Sequence, residues 1–111
     1  MIEFHITLKT PSNKSRPVIE ALQVLAKKAR AESGCIAVEV YKTVGFPCRI
    51  GYQETWATEE ALRSMIASHH FSQLASLMEL SIEPPKCEFR FISVIHGLEF
   101  ASKVRNCSVY D

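Results

Sequence analysis

The sequence lacks the long runs that mark membrane spans and charged binding tails. No apolar stretch approaches the ~18–20 residues that a membrane-spanning helix needs. The net charge is only +1, without a long basic or acidic block, so charge predicts neither nucleic acid nor a membrane as a partner. The first ten residues, MIEFHITLKT, carry charges inside an apolar run and are typical of a strand rather than a signal peptide. We therefore expect a cytoplasmic protein.

Closely spaced cysteines are missing as well. Cys35, Cys48, Cys87 and Cys107 are scattered and form no C-x-x-C pair. A disulfide framework would be denser, so we expect reduced thiols that mostly pack in the interior. The sequence also has no Gly-rich phosphate loop and no histidine spacing typical of metal ligands, so we expect neither metal nor flavin and no cofactor.

The apolar residues that are present indicate one domain of 111 residues with the element order β-α-β-β-α-β. IEFHITLK alternates, with Ile2, Phe4, Ile6 and Leu8 on one face, which predicts a half-buried strand. Three more strands are predicted by CIAVEVYKT, CRIGYQETW and CEFRFISVI. Apolar residues at helical spacing follow the first strand and again follow Thr58, which predicts two helical segments. The order predicts an α+β, ferredoxin-like fold with an antiparallel sheet and with the second helix broken near residue 68.

Helices can cover only one face of such a sheet. We expect the other face to carry Cys35, Ala37, Tyr41, Ile92 and Val94, which makes it too apolar to stay exposed to water. Arg49 and Gln53 should also point to that side. The sequence therefore predicts a homodimer through the sheet faces, with C2 symmetry.

Three stretches, ESGCIAVEVY (32–41), IGYQETWATEEAL (50–62) and SHHF (68–71), resemble one known family. They are similar to a Glu-Pro-Gly-Cys lead-in to strand two, to Glu-x-Trp before an acidic helix start, and to Ser-Pro-His-Phe. These are patterns of the antibiotic biosynthesis monooxygenase (ABM) domains, which form dimeric ferredoxin-like α/β barrels. The resemblance implies an ABM-like domain over residues 1–96 and a C-terminal extension over 97–111.

We expect different roles for the two adjacent histidines of SHHF. By the resemblance, Ser68 caps a new helix, and His69 and His70 are its first two residues. Their side chains then diverge by ~100°, so they do not share a metal, and His69 is expected to be exposed. The helix dipole disfavours a charged imidazole at His70. His70 is therefore either a neutral base or substrate contact, or a residue that bonds backbone where two helical segments meet.

The third strand supplies the other candidate site residues. Tyr52, Glu54 and Trp56 share one face, and a buried Glu54 would need a hydrogen-bonding partner or a wet cavity. The resemblance implies cofactor-independent oxygenation of a small phenolic or quinol-like aromatic, with His70 as the base. Tyr52 and Trp56 would position the substrate, although Trp56 can equally be a packing residue, and Glu54 and Met65 would complete the substrate site.

Other functions stay open. Met65 stands where many family members have a histidine, which leaves retention of catalysis undecided. The haem-degrading branch would require other residues at Ile6, Met65 and Ala75, so haem degradation is not expected. The alternatives are a non-catalytic dimeric domain that binds a small ligand, and an isomerase of a small metabolite, which needs a more polar pocket.

The C-terminal extension is too apolar for a purely solvated tail. Its apolar residues do not recur at a regular helix or strand spacing; they include Phe100, Val104, Val109 and Tyr110. Disordered segments usually contain fewer such residues. We therefore expect part of the extension to form an extended arm on a sheet edge or on the partner subunit.

Overall fold

The computed structural model describes the backbone of residues 1–110 and the side chains of residues 1–106. The elements are β1 (Ile2–Lys9), a 3₁₀ turn (Ser12–Lys14), α1 (Ser15–Arg30), β2 (Cys35–Thr43), β3 (Phe46–Trp56), α2 (Glu59–Ile66), α3 (His69–Met78), β4 (Lys86–Phe91) and α4 (Leu98–Tyr110). The four strands form one antiparallel sheet in the order β2-β3-β1-β4. The predicted ferredoxin-like α+β fold is confirmed. None of the helices in the described part of the chain could span a membrane.

The core lies between the helices and one face of the two central strands. The predicted row of β1, Ile2, Phe4, Ile6 and Leu8, is at most 5% exposed. It pairs with Trp56, Glu54, Tyr52 and Ile50 of β3, and the apolar side of α1 packs over both strands. One face of β3 is therefore buried at the centre of the molecule, and this places three of the candidate site residues there.

The break in the second helical segment is confirmed, with α2 ending at Ile66 and α3 beginning at His69. Thr58 caps α2, since its side-chain oxygen accepts a hydrogen bond from the Ala61 amide at 3.1 Å. Ser68 occupies the N-cap position of α3, but its hydroxyl donates to the Met65 carbonyl at 2.6 Å. The side-chain cap expected there is therefore absent, and the hydroxyl instead ties the two helices together.

One residue of β2, Cys35, faces the opposite way to the prediction. Cys35 pairs with Trp56 and Ala37 pairs with Thr55, so Ile36 is an extra residue in a β-bulge. Because the bulge shifts the alternation by one residue, Cys35 packs against the core while Ile36 is 57% exposed. The placement of Cys35 on the outer face was wrong, whereas Ala37 is exposed as predicted.

The outer sheet face is more polar than predicted. β4 ends at Phe91, so Ile92 and Val94 lie beyond the strand, although the Ile92 amide still donates to the Met1 carbonyl at 2.9 Å. The register instead places on the outer face the side chains of Glu3, His5, Thr7, Gln53, Lys86, Glu88 and Arg90, with Glu88 paired to Lys86 and Arg90. The apolar character from which a sheet-face dimer was inferred is therefore not found at these positions.

The C-terminal extension is helical rather than extended. α4 begins after Gly97, whose amide donates to the Glu99 carboxylate at 2.9 Å. Leu98 is 83% exposed and Phe100 53% exposed. Packing on a partner subunit stays a prediction, and the side chains of Val109 and Tyr110 lie outside the described residues.

The cysteines within the described residues are free thiols. Cys35 and Cys48 are partly buried, whereas Cys87 is exposed on β4, contrary to the expectation of packing. Burial raises the pKa of the Cys35 thiol above its usual range, and the nearby Glu54 acts in the same direction. The Cys107 side chain lies outside the described residues.

Candidate functional site

Four of the predicted site residues meet in one hydrogen-bonded cluster around Glu54. β3 supplies Tyr52, Glu54 and Trp56 from one face, since strand side chains repeat every two residues. α3 supplies His70 from its first turn, directly after the break between α2 and α3. The sheet and the helix start therefore bring together residues that lie 16 positions apart in the sequence.

Glu54 is a fully buried carboxylate with three donors. Its Oε2 atom accepts from the Tyr52 hydroxyl at 2.5 Å and contacts Nε2 of His70 at 2.5 Å, while Oε1 accepts from Trp56 Nε1 at 3.0 Å. Burying an ionised carboxylate without such partners would be costly. The expectation that Glu54 needs partners is confirmed, since both of its carboxylate oxygens are engaged.

His70 has one ring nitrogen engaged and the other without a partner. Nε2 faces the Glu54 carboxylate, so it carries a proton in this contact. Among the side chains of residues 1–106, Nδ1 of His70 is the one buried nitrogen or oxygen atom without a hydrogen-bonding partner. Buried polar atoms are rarely left unsatisfied. In the neutral ring Nδ1 carries the lone pair with which a base accepts a proton.

A cavity of about 1020 Å³ lies beside the cluster, between the end of α1, the α1–β2 turn and the helices α2 and α3. Apolar wall residues include Ala29, Trp56, Ala61 and Met65, and polar ones include Lys28, Glu32, Thr58, Ser64 and Gln73. His69 and His70 both line it. The walls therefore combine apolar surface with several polar side chains.

Gly34 shapes the wall where the α1–β2 turn passes α2. A Cβ atom at this position would lie 2.5 Å from Cβ of Ala61 and 3.7 Å from the Trp56 ring. The absence of a side chain therefore lets the turn approach both residues closely. The Gly34 carbonyl also accepts from the Ala57 amide at 2.9 Å, which fixes the chain just after Trp56.

A profile of the family described as antibiotic biosynthesis monooxygenase matches residues 1–76. The chain belongs to the antibiotic biosynthesis monooxygenase family. No curated protein matches the sequence.

Several solved structures share the fold of this ABM chain. One is a proposed antibiotic biosynthesis monooxygenase from Deinococcus radiodurans, at 19% identity and TM-score 0.77, covering 87% of this chain and 97% of its own. A conserved protein from Methanosarcina mazei Go1 has 22% identity and TM-score 0.74, with coverages of 83% and 92%. A Bacteroides thetaiotaomicron protein of unknown function, with a suggested oxidoreductase role, has 24% identity and TM-score 0.71, with coverages of 80% and 94%.

The predicted site residues of this ABM domain fall into two groups. Trp56, Met65 and His70 line the cavity, although Trp56 and Met65 are 3% and 5% exposed. Tyr52 and Glu54 are fully buried behind it and do not line it. His69 is exposed at the cavity, as expected. Roles of all these residues in substrate binding stay predictions.

The polar wall of the cavity was not predicted from the sequence. Lys28 and Glu32 come from the end of α1 and the turn after it, and Gln73 comes from α3. Nothing in their own sequence context distinguishes them from ordinary exposed helix residues. The sequence carries only an indirect signal for this wall, namely the Gly34 turn and the helix break at Ser68. These two features determine which helix ends surround His70.

Tyr52 is held in its protonated form. Burial, followed by the negative charge of Glu54 and the hydrogen bond to it, raises the pKa of the Tyr52 hydroxyl far above its usual range near 10. The hydroxyl therefore remains a hydrogen-bond donor to Glu54 throughout the neutral range.

This raised pKa predicts a loss of stability in alkali. Above pH ~10 the unfolded chain releases the Tyr52 proton while the folded chain keeps it, so the free energy of unfolding falls by up to ~1.4 kcal/mol per pH unit from this group. Tyr52→Phe should be less stable at pH 8 because it loses a donor to Glu54, yet its stability should fall less steeply above pH 10. Urea unfolding of both proteins between pH 8 and pH 11 measures this, and parallel curves would contradict the assignment.

Proposed function

We propose that this ABM protein is a cofactor-independent monooxygenase of a small phenolic or quinol-like aromatic, with His70 as its catalytic base. The observation that carries the proposal is the contact of 2.5 Å between Glu54 and Nε2 of His70, which leaves Nδ1 without a partner in a residue that lines the cavity. A carboxylate that holds one ring nitrogen fixes the tautomer and leaves the other nitrogen able to accept a proton.

The proposed reaction begins with proton transfer from a substrate hydroxyl to Nδ1 of His70. The resulting phenolate is electron-rich and donates electrons to dioxygen, which enters the cavity with the substrate. One oxygen atom is bonded to the ring carbon, and the other leaves as water. The ring carbon that gains oxygen loses its hydrogen as a proton and becomes a carbonyl, so the substrate supplies both electrons. This proton and the hydroxyl proton returned by His70 leave with the other oxygen atom as water, and no separate reductant is needed.

The other three members of the cluster position the base. Tyr52 and Trp56 both direct their donor hydrogens to Glu54, so in this structure these donors are engaged within the protein. We therefore assign them to holding Glu54 in a fixed orientation, which in turn orients His70. A base fixed in this way needs little reorganisation during the reaction.

The cavity wall provides the substrate contacts in this proposal. Met65 and the Trp56 ring supply apolar surface for one part of an aromatic molecule. Ser64 and Gln73 offer polar groups for its hydroxyl or carbonyl oxygens. Ligand sites usually combine apolar surface with a few polar groups that fix the orientation of the ligand.

The polar wall favours one second candidate, an isomerase that moves a proton within a small polar metabolite. Lys28, Glu32, Thr58 and Gln73 all line the cavity, and such a reaction needs a base and several polar contacts but no dioxygen. His70 would have the same role in it. The two candidates differ in whether oxygen is consumed.

We also propose a homodimer through the outer sheet faces, the arrangement expected from the family. The support is the fold match and the uncovered outer face, on which the Tyr41 side chain remains 41% exposed. Because this face carries the paired charges of Lys86, Glu88 and Arg90, its contacts would be largely polar.

Oxygen uptake distinguishes the functions. Purified protein is mixed with a panel of naphthohydroquinones and anthrones in buffer equilibrated with isotope-labelled dioxygen. The monooxygenase proposal expects enzyme-dependent oxygen consumption and one labelled oxygen atom in the product. Conversion of a polar hydroxyketone without oxygen consumption would identify the isomerase. Binding without turnover of either class would identify a non-catalytic ligand-binding domain.

A further inference from the structure

An apolar groove separate from the cavity lies between α2 and the edge strand β4. Its volume is about 420 Å³, and it is lined by Glu59, Leu62, Arg63, Ile66, Ala67, Phe89 and Phe91. Phe89 and Phe91 continue the core rows of Phe4 and Ile2 across the sheet, yet they are 39% and 62% exposed. The helices do not extend over β4, so this part of the core face is uncovered.

α4 presents a matching surface outside this groove. None of its residues 98–106, whose side chains the structure describes, lines the groove. Phe100 is 53% exposed and lies on the same side of the helix as Glu99 and Lys103, since residues three and four apart share a face. Arg105 lies on the opposite side of α4.

The charges of the two helices are complementary when the helices run antiparallel. Glu59 precedes Arg63 by four residues on the groove side of α2, and Glu99 precedes Lys103 by four residues on α4. An antiparallel pair therefore places Glu59 beside Lys103 and Arg63 beside Glu99. In the same alignment Phe100 lies opposite Leu62, at the floor of the groove. A parallel pair would instead place like charges together.

We propose that in the homodimer proposed above, on which this inference rests, α4 of one subunit occupies the groove between α2 and β4 of the other, so that the two subunits exchange their C-terminal helices. The exchange is reciprocal, as a C2 dimer requires, because each chain has one groove and one α4. It covers Phe89 and Phe91 and also protects the β4 edge from further strand pairing. The Glu59–Arg63 bond within α2 is an exposed pair and competes only weakly with contacts to α4.

A charge-exchange experiment on the full-length chain tests the proposal. Lys103→Glu and Glu59→Lys each place like charges together in a homodimer that exchanges α4. When the two variants are mixed, both helix–groove contacts in a heterodimer regain opposite charges. Native mass spectrometry, with one variant isotope-labelled, measures the dimer species after the mixture has been unfolded and refolded together.

The expected result is a heterodimer share of at least about four-fifths of all dimers, against about half for random pairing, because like charges across an interface disfavour both homodimers. The matched controls are Arg105→Glu, on the opposite side of α4, and Glu60→Lys, which lies next to Glu59 but outside the groove. A mixture of these two should pair at random. Random pairing of the test variants, an entirely monomeric mixture, or equal enrichment in the control mixture would each overturn the proposal. If α4 docks in the groove of its own chain, pairing is also random, and this outcome too would contradict the proposed exchange.

Discussion

Replacing His70 with glutamine is expected to lower kcat for the aromatic substrate by about 10² to 10⁴, the usual contribution of a general base. Glutamine is chosen because its amide nitrogen can still donate to the Glu54 carboxylate, whereas it cannot accept a proton from a substrate. The cluster should therefore persist in the variant, and KM should change much less than kcat. Steady-state oxygen uptake with the best substrate of the panel measures both constants.

His69→Gln is the matched control for this prediction. His69 also lines the cavity, but it is exposed, and no hydrogen bond to the cluster ties it to Glu54. Its replacement should leave kcat within about threefold of the original, since surface substitutions rarely alter the geometry of a buried site. Equal losses in the two variants would show that the cavity as a whole, and not proton transfer at His70, limits the reaction.

The alternation of β3 was enough to predict that Tyr52, Glu54 and Trp56 share a face, because that period is fixed by strand geometry. It also predicted that a buried Glu54 needs partners. His70 was named as a site residue from the family resemblance, but its contact with Glu54 was not predicted, since it joins a strand and a helix that the fold alone brings together. The donors of Tyr52 and Trp56 were expected to contact substrate because the sequence does not show which polar groups satisfy one another.

The two errors in the sheet have separate physical causes. The bulge in β2 cannot be recognised from the apolar pattern, because either face of the sheet could accept Cys35, Ile36 and Ala37. The bulge nevertheless decides which of these side chains faces the core. Beyond Phe91 the alternation continues through Ile92 and Val94, but Phe91 already pairs with Ile2, where β1 begins. A strand ends where its partner ends, and an alternating pattern does not record that point.

Replacing Glu54 with glutamine is the second change with a large expected effect, and it acts through the tautomer of His70. Trp56 is a donor only, so the amide oxygen of the new side chain is expected to face its Nε1 atom. The amide NH₂ group then lies where Oε2 stood, facing Tyr52 and Nε2 of His70. Nε2 must become the acceptor, and the single proton of the neutral ring moves to Nδ1.

In this variant the proposed base carries a proton on the atom that should accept one. The expected loss in kcat is therefore also about 10² to 10⁴, comparable with an amide replacement of the carboxylate in other carboxylate–histidine pairs. The fold should survive, at a cost of about 1–3 kcal/mol in the free energy of unfolding, because the charge that accepted three hydrogen bonds is gone. Urea unfolding measures this cost and confirms that the assayed protein is folded.

Nitrogen NMR of the His70 ring separates this explanation from a general loss of structure. In the original protein Nε2 should carry the proton and Nδ1 should not, and in Glu54→Gln the two assignments should be reversed. Tyr52→Phe provides the comparison, since it removes a donor from Glu54 but leaves the carboxylate in contact with Nε2. It should keep the original tautomer and most of the activity. A Glu54→Gln protein that retains both the original tautomer and its kcat would show that Glu54 has only a structural role in the core.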